Sequence, residues 1–427
     1  MGELAGNSGV RDFRSIDYVK ITIFGFALTA LWSSLHTIIL PLRLLDFVAE
    51  PQLNTYLGLL AGSGLILAMV VQPIAGAVSD RSGFRWGRRR PYILLGSILV
   101  IMFLFGIGFS GSYVALFAIY CLLQVGSNIA QGAYQAFIPD LAPAEKRGLA
   151  SGVKGLFEIA GGIVLLRLIV PFMDRYSIGA ESLWLWLALG AVAVVLLGAM
   201  IATVLTVKER PLAGVPRLPL LPTLTRSFRI DVRKNSDFIW FLLSRLLIFM
   251  SLAVIQRFAF YFLKYFVGVA NPAAATADLL IVVGIFMLAA VYFAGRLSDR
   301  VGRRPIAISS GLLGALGVAL LLAPGGYSMV LFAGSVLGIA SGAFISTNWA
   351  LATDMVPKGE EARYLGLTNL ATAGGSALAL FVIGPVIDLF NTYSPGLGYQ
   401  VMLGTCIFYF VAGSLLLFKV RAPTQLR

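Results

Sequence analysis

Charge is what this chain has least of. Asp, Glu, Lys and Arg together make up 12% of its 427 residues, against roughly 25% in soluble domains. Apolar residues make up 58% and the mean hydropathy is +0.87, which excludes an ordinary soluble domain. Cysteine is nearly absent: Cys121 and Cys406 each fall inside an apolar run, which excludes a disulfide framework or a CxxC metal site. His36 is the single histidine. No GK[ST] P-loop, HExxH pair or nucleophile elbow occurs. An ATP-driven pump and hydrolytic chemistry are therefore not expected, nor is any cofactor or metal. Met1 to Arg14 is polar with no short apolar core, so no signal peptide is expected.

What is present is apolar length. Stretches of about 20 residues suit a hydrocarbon core about 30 Å thick. They predict spans near 17–42, 56–79, 91–110, 112–138, 148–173 and 183–207, then 238–267, 277–297, 304–323, 327–353, 363–389 and 396–420. Glu50-Pro51, Gly111-Ser112, Asn271-Pro272 and Pro324-Gly325-Gly326 punctuate them as turns. The 46 glycines suit helices whose backbones approach closely in lipid. A polar segment, 208–237, separates an N-terminal bundle (1–207) from a C-terminal one (238–427) and reads as a linker along a membrane surface.

The net charge of +13 does not mark a nucleic-acid binder, because the basic residues punctuate apolar runs instead of forming one basic, aromatic-laced domain. Lipid bilayer is the expected partner. With both termini inside, the cytoplasmic segments collect Arg11, Arg14, Lys20, the arginines at 81–90, Lys146, Arg147, the basic linker, Arg300 to Arg304, Lys358, Arg363, Lys419, Arg421 and Arg427. The other face receives Arg43 and Arg175. By the excess of Lys and Arg on the cytoplasmic side, the chain reads as a multi-pass plasma (inner) membrane protein with both ends in the cytoplasm.

The chain also repeats itself. Ser79-Asp80-Arg81 followed by Arg89-Arg90-Pro91 returns as Ser298-Asp299-Arg300 followed by Arg303-Arg304-Pro305. From the prolines onward the offset is 214, kept by Asp140/Asp354, Pro143/Pro357, Gly152/Gly366, Pro171/Pro385 and Asp174/Asp388. A carboxylate closing a helix is unfavourable for that helix's own dipole. It becomes favourable facing another helix's N-terminus or an arginine, which makes Asp80, Arg81, Arg89, Asp299, Arg300 and Arg303 candidate gating residues. A duplicated set of membrane helices with charged hinges is transporter architecture.

The two hinge loops resemble the signature loop of the major facilitator superfamily, and the likeness in span count, duplication and linker covers the whole chain. It implies an all-α membrane protein with 12 transmembrane helices in two six-helix bundles, in which helices 1, 4, 7 and 10 line a central cavity. The first loop, Arg85-Trp86-Gly87-Arg88-Arg89-Arg90-Pro91, resembles that of sucrose/proton symporters and of glycoside–pentoside–hexuronide:cation symporters. That resemblance implies a sugar-like solute.

Polar groups inside spans need a partner or a water-filled cavity. Gln124, Asn128, Gln131 and Gln135 recur at i, i+4, i+7 and i+11 along span 4, with Tyr134 beside them. Such amides can hydrogen-bond a polyhydroxylated solute or glue helices together. Gln256 and Arg257 in span 7 and Asn348 and Trp349 in span 10 complete the candidate solute site; Arg245 near the start of span 7 reads as a snorkelling cation. Thr29, Ser33 and His36 form a stripe on span 1, and Lys154 and Glu158 stand at i, i+4 in span 5. Protonation of Glu158 would free Lys154, so the pair is a candidate coupling site, with His36 as the second; the plain alternative is a self-neutralising pair. Arg167 reads as an outer-end anchor sharing a face with Asp174.

The function these features point to is secondary active transport, not enzymatic turnover. The expected cargo is a small polar solute, a sugar or glycoside, moved by a monomer through alternating access coupled to a proton or another cation. The alternatives are a facilitator-type exporter of amphipathic compounds, suggested by Phe258, Phe260, Tyr261, Phe262, Tyr265 and Phe266, and a non-transporting assembly or sensing protein that reuses the fold.

Overall fold

A computed structural model describes residues 13–84, 86–179, 181–209, 235–323, 325–356 and 361–420. Arg11, Arg85, Lys358, Arg421, Arg427 and 210–234 of the expected linker lie outside the described residues, as does the side chain of Arg363. The described chain is helical throughout. Its long helices are α1 (Ser15–Leu45), α2 (Leu53–Asp80), α3 (Arg90–Phe109), α4 (Tyr113–Tyr134), α5 (Arg147–Ser177) and α6 (Leu183–Thr206). They continue as α7 (Ser236–Val267), α8 (Pro272–Val301), α9 (Arg303–Leu320), α10 (Gly326–Met355), α11 (Glu361–Tyr393) and α12 (Leu397–Leu416). Eleven are long and apolar enough to cross a membrane. The twelfth, α9, has 18 residues and spends two of them on Arg303 and Arg304.

Local chemistry sets the ends. Pro91 falls in the first turn of α3, where a missing N–H costs nothing. α8 starts at Pro272, five residues before its expected start at 277, because the Asn271 side chain accepts from Ala274 N and caps the extra turn. α1 runs past 42 to Leu45 through a π-helical turn at Leu35–Ile39 that carries His36. α7 closes with a π-helical turn, Phe262–Val267, stopped by Gly268 at φ 74°.

Helices pack mainly within each half: α1 against α5 and α6, α3 against α4 and α6, α8 and α9 against α10, α7 against α11 and α12. The halves meet where α2 packs on α11 and α5 on α8. The contact is closest at the start of α2: a Cβ on Gly58 would lie 2.4 Å from the Leu380 carbonyl oxygen, and one on Gly384 would lie 2.5 Å from that of Asn54. Only glycine admits such an approach. Farther along the same pair, a Cβ on Gly374 would meet the Met69 methyl at 3.6 Å, an ordinary contact. The α2–α11 contact thus loosens away from the start of α2.

Candidate functional site

A cavity of about 410 Å³ lies between the halves, lined from α1 and α5 on one side and from α7, α8, α10, α11 and α12 on the other. From the first half α1 contributes Thr29 and Ser33, and α5 contributes Glu158 and Gly162; from the second come Gln256 of α7, Ser341 of α10 and Ser376 of α11. The remaining wall is apolar, with Leu166, Phe249, Leu280 and Met287 among its members. Lys154 Nζ lies 3.6 Å from Glu158 Oε1 and 5.3 Å from the Tyr134 ring centre. Glu158 is the acidic member of this wall.

The α4 amides stand elsewhere. Gln124 and Asn128 are buried and do not line the cavity. Gln124 Nε2 donates to Tyr120 Oη at 2.6 Å, and Asn128 Nδ2 donates to the Gln124 carbonyl at 2.8 Å. Tyr120 Oη in turn lies 2.9 Å from His36 Nε2. Trp32 stacks on the His36 ring at 4.7 Å, and Arg257 is near enough to interact electrostatically with both His36 and Tyr120. Span periodicity put the amides on one face; it carried no sign that Tyr120 and His36 would meet there. Tyr134 donates to the Thr22 carbonyl at 3.1 Å, Gln131 is half-buried and Gln135 is exposed.

Asn348 and Trp349 adjoin Arg245, one turn from the cavity. Asn348 Oδ1 accepts from Arg245 Nη1, and the guanidinium lies 4.9 Å from the Phe249 ring centre and 5.6 Å from that of Trp349. Arg245 is 5% exposed and packed among three helices, so the snorkelling expected from its place in the sequence is not observed.

The hinge loops form a clamp within each half. Arg89, 3% exposed, donates to Asp80, to Asp140 Oδ2 at 3.1 Å, to the Gly76 carbonyl at 3.2 Å and to Ser79 Oγ at 2.5 Å. Arg88 pairs with Asp140 at 2.7 Å. The repeat reproduces the core of this: Arg303 pairs with Asp354 at 2.5 Å and donates to the Ala350 carbonyl. Asp299 and Arg300 are exposed, and Arg81 is half-buried. Glu209, beyond α6, accepts from the backbone N–H groups of Arg88, Arg89 and Arg90 at 2.8, 2.8 and 3.0 Å. Its position after the span carried no motif, so the sequence did not single it out.

At the opposite face the halves are bonded to each other. Asp388 of α11 accepts from Asn54 Nδ2 at 2.8 Å, Asn54 N at 3.3 Å and Thr55 N at 2.6 Å at the start of α2. Asp174 of α5 accepts from Asn271 Nδ2 at 2.7 Å, before α8. Arg167 pairs with Asp278 of α8, which makes it a bond between halves in addition to an anchor at its helix end. Tyr261 donates to the Pro41 carbonyl at 2.9 Å.

Two helical halves around a polar-studded cavity, bonded at one face and clamped within themselves at the other, define a membrane transporter of the facilitator fold. The chain belongs to the MFS/sugar transport protein family, whose model matches residues 23–420. It is similar to the sucrose transport protein SUT1 of Oryza sativa subsp. japonica, 30% identical over 143 residues, covering 28% of this chain and 25% of that protein. It is similar as well to the lactose permease of Lactobacillus helveticus, 25% identical over 240 residues, 51% of this chain and 37% of that one. The chain therefore matches well under two thirds of these relatives' lengths. In fold it is similar to the nucleoside transporter NupG D323A mutant (TM-score 0.74, 16% identity, 94% of this chain and 99% of that one). A D-xylose-proton symporter is comparable (TM-score 0.72, 19% identity, 96% and 99%).

Proposed function

We propose that this transporter carries a sugar or glycoside by alternating access, coupled to a proton. The observation that carries the reading is Glu158: a carboxylate in the wall of the cavity between the halves, with one lysine as its charge partner. In an apolar wall, neutralising that carboxylate removes the reason for Lys154 to stay beside it. Loading a proton and rearranging the cavity are thereby linked. The hydroxyls of Thr29, Ser33, Ser341 and Ser376 and the amide of Gln256 offer donors and acceptors to a polyol. The names of similar proteins, a sucrose transport protein and a lactose permease, point to the same solute class.

The halves rock about the cavity, 1–207 against 238–427. The excess of Lys and Arg assigns the face with the hinge loops to the cytoplasm, so the bonded face is the outer one. In this conformation Asp80 is held by Arg89 of its own half. When the outer face opens, Asp80 and Asp299 gate the inner face, with Arg81, Arg89, Arg300 and Arg303 as their partners. The alternative cargo, an amphipathic compound, is favoured by the apolar share of the cavity wall.

The test is uptake of radiolabelled sugars and glycosides into proteoliposomes with an imposed proton gradient. Accumulation that collapses on adding a protonophore is the expected result. Solute entry indifferent to the gradient would refute proton coupling, and absence of any sugar flux would refute the solute class.

A further inference from the structure

Among the described residues Arg245 is a cation in a membrane helix with no anion paired to it. Its Nε donates to Thr372 Oγ1 at 2.8 Å and to the Thr368 carbonyl at 3.3 Å, and its Nη1 donates to Asn348 Oδ1. All three acceptors are neutral, and among the described residues it forms no ion pair. A buried charge without a counter-charge is strongly unfavourable, and such residues in membrane helices mark ligand pathways. A second donor beside it is also unused: Asn348 Nδ2 is buried with no hydrogen-bond partner.

The position of this cluster relative to the cavity is regular. On α7, Arg245 lies one turn before the lining residue Phe249; on α10, Asn348 lies three residues after Ile345; on α11, Thr372 lies one turn before Ser376. α7 and α11 run away from the hinge-loop face and α10 runs toward it. All three residues therefore sit one turn nearer that face than the cavity, directly beneath the lining residues Phe249, Ile345 and Ser376. Phe249 belongs to both, as cavity wall and as the ring against the guanidinium.

We infer that Arg245 and Asn348 form a subsite for a single carboxylate carried by the transported solute, whose uncharged body occupies the cavity above. A guanidinium with free N–H groups suits a planar two-oxygen acceptor. One cation balances one negative charge, which favours a carboxylate over a doubly charged phosphate. The apolar share of the wall accepts an aryl or alkyl portion. This rests on the carrier reading above and narrows it to acidic solutes.

Three probes separate the two ideas by equilibrium binding to the purified full chain: 4-nitrophenyl β-D-glucoside, 4-nitrophenyl β-D-glucuronide and 4-nitrobenzoate. The first two differ in having a hydroxymethyl group or a carboxylate; the third has the carboxylate and no sugar. Wild type should bind the glucuronide about tenfold or more tighter than the glucoside, the effect of a charge-assisted bond. Arg245→Gln should remove that preference. Asn348→Asp, which supplies an internal carboxylate to Arg245 in nearly the same volume, should remove it too while raising the melting temperature. Equal binding of glucoside and glucuronide by wild type, or a preference retained in either variant, overturns the subsite. Should 4-nitrobenzoate bind in an Arg245-dependent way while the glucoside does not bind, the subsite stands and the sugar reading falls.

Discussion

The carboxylate of Asp388 on α11 caps the first turn of α2, accepting the backbone N–H of Thr55 at 2.6 Å from 333 residues away. The first amides of a helix have no partner within it and carry the positive end of its dipole, so a carboxylate from the other half satisfies both. Asp174, 214 positions earlier, reaches Asn271, the capping residue of α8. Each half therefore sends one copy of a duplicated aspartate to the start of the other half's second helix. The face they close is the one where the α2 and α11 backbones touch.

Asp388→Asn should open that face. The variant keeps one acceptor but loses the charge, weakening the closed state by about 1–3 kcal/mol. Spin labels at Gln52 and Thr392, both exposed beside the contact, should show a longer, broader distance distribution than in the parent. An unchanged distribution would mean that the glycine contact alone holds the face shut.

Arg89 and Asp80 should differ in their effect on stability. Arg89 is buried and holds Asp80, Asp140, Ser79 and Gly76, so Arg89→Ala leaves several groups unpaired and should cost about 3–5 kcal/mol. Asp80 has a side chain 54% exposed, so Asp80→Asn should cost less than about 1 kcal/mol while still cutting transport. Unfolding in detergent beside uptake rates gives the comparison. The reverse ranking in stability would refute the clamp.

Tyr120→Phe should destabilise the protein by about 1–3 kcal/mol, because His36 Nε2 and Gln124 Nε2 both lose their partner in a buried setting. Solute affinity should change less than stability, since Tyr120 does not line the cavity. A large loss of affinity in a variant of normal stability would place the α4 amides in direct contact with the solute.

Glu158→Gln imitates the protonated carboxyl and deprives Lys154 of its charge partner. Uphill accumulation should disappear while exchange of solute between the two sides persists; His36→Ala should do less. Counterflow and gradient-driven uptake in the same proteoliposomes distinguish these. Accumulation at the parent level in Glu158→Gln would move the proton to another residue.

The membrane spans, their repeat and the charged hinges were legible in the chain because each is a local or periodic property. Twenty apolar residues must be helical in lipid, since no water satisfies their backbone. The aspartates at 140 and 354 stood out by their common offset of 214 from one another, and they pair with arginines that share that offset, Arg89 and Arg303.

What the chain could not announce is which polar residues would meet. The amides of α4 share a stripe, yet Gln124 and Asn128 bond to Tyr120 and to their own helix where α4 packs on α2 and α3. Arg245 read as a cation near a helix end that could reach water, and the packing of α10 and α11 encloses it with Asn348 and Thr372. Composition and periodicity determined that this protein spans a membrane in two related sets of helices. Only the rotation and tilt of those helices decided where the cavity lies and which polar groups a buried charge such as Arg245 meets, because these depend on contacts between segments far apart in the chain.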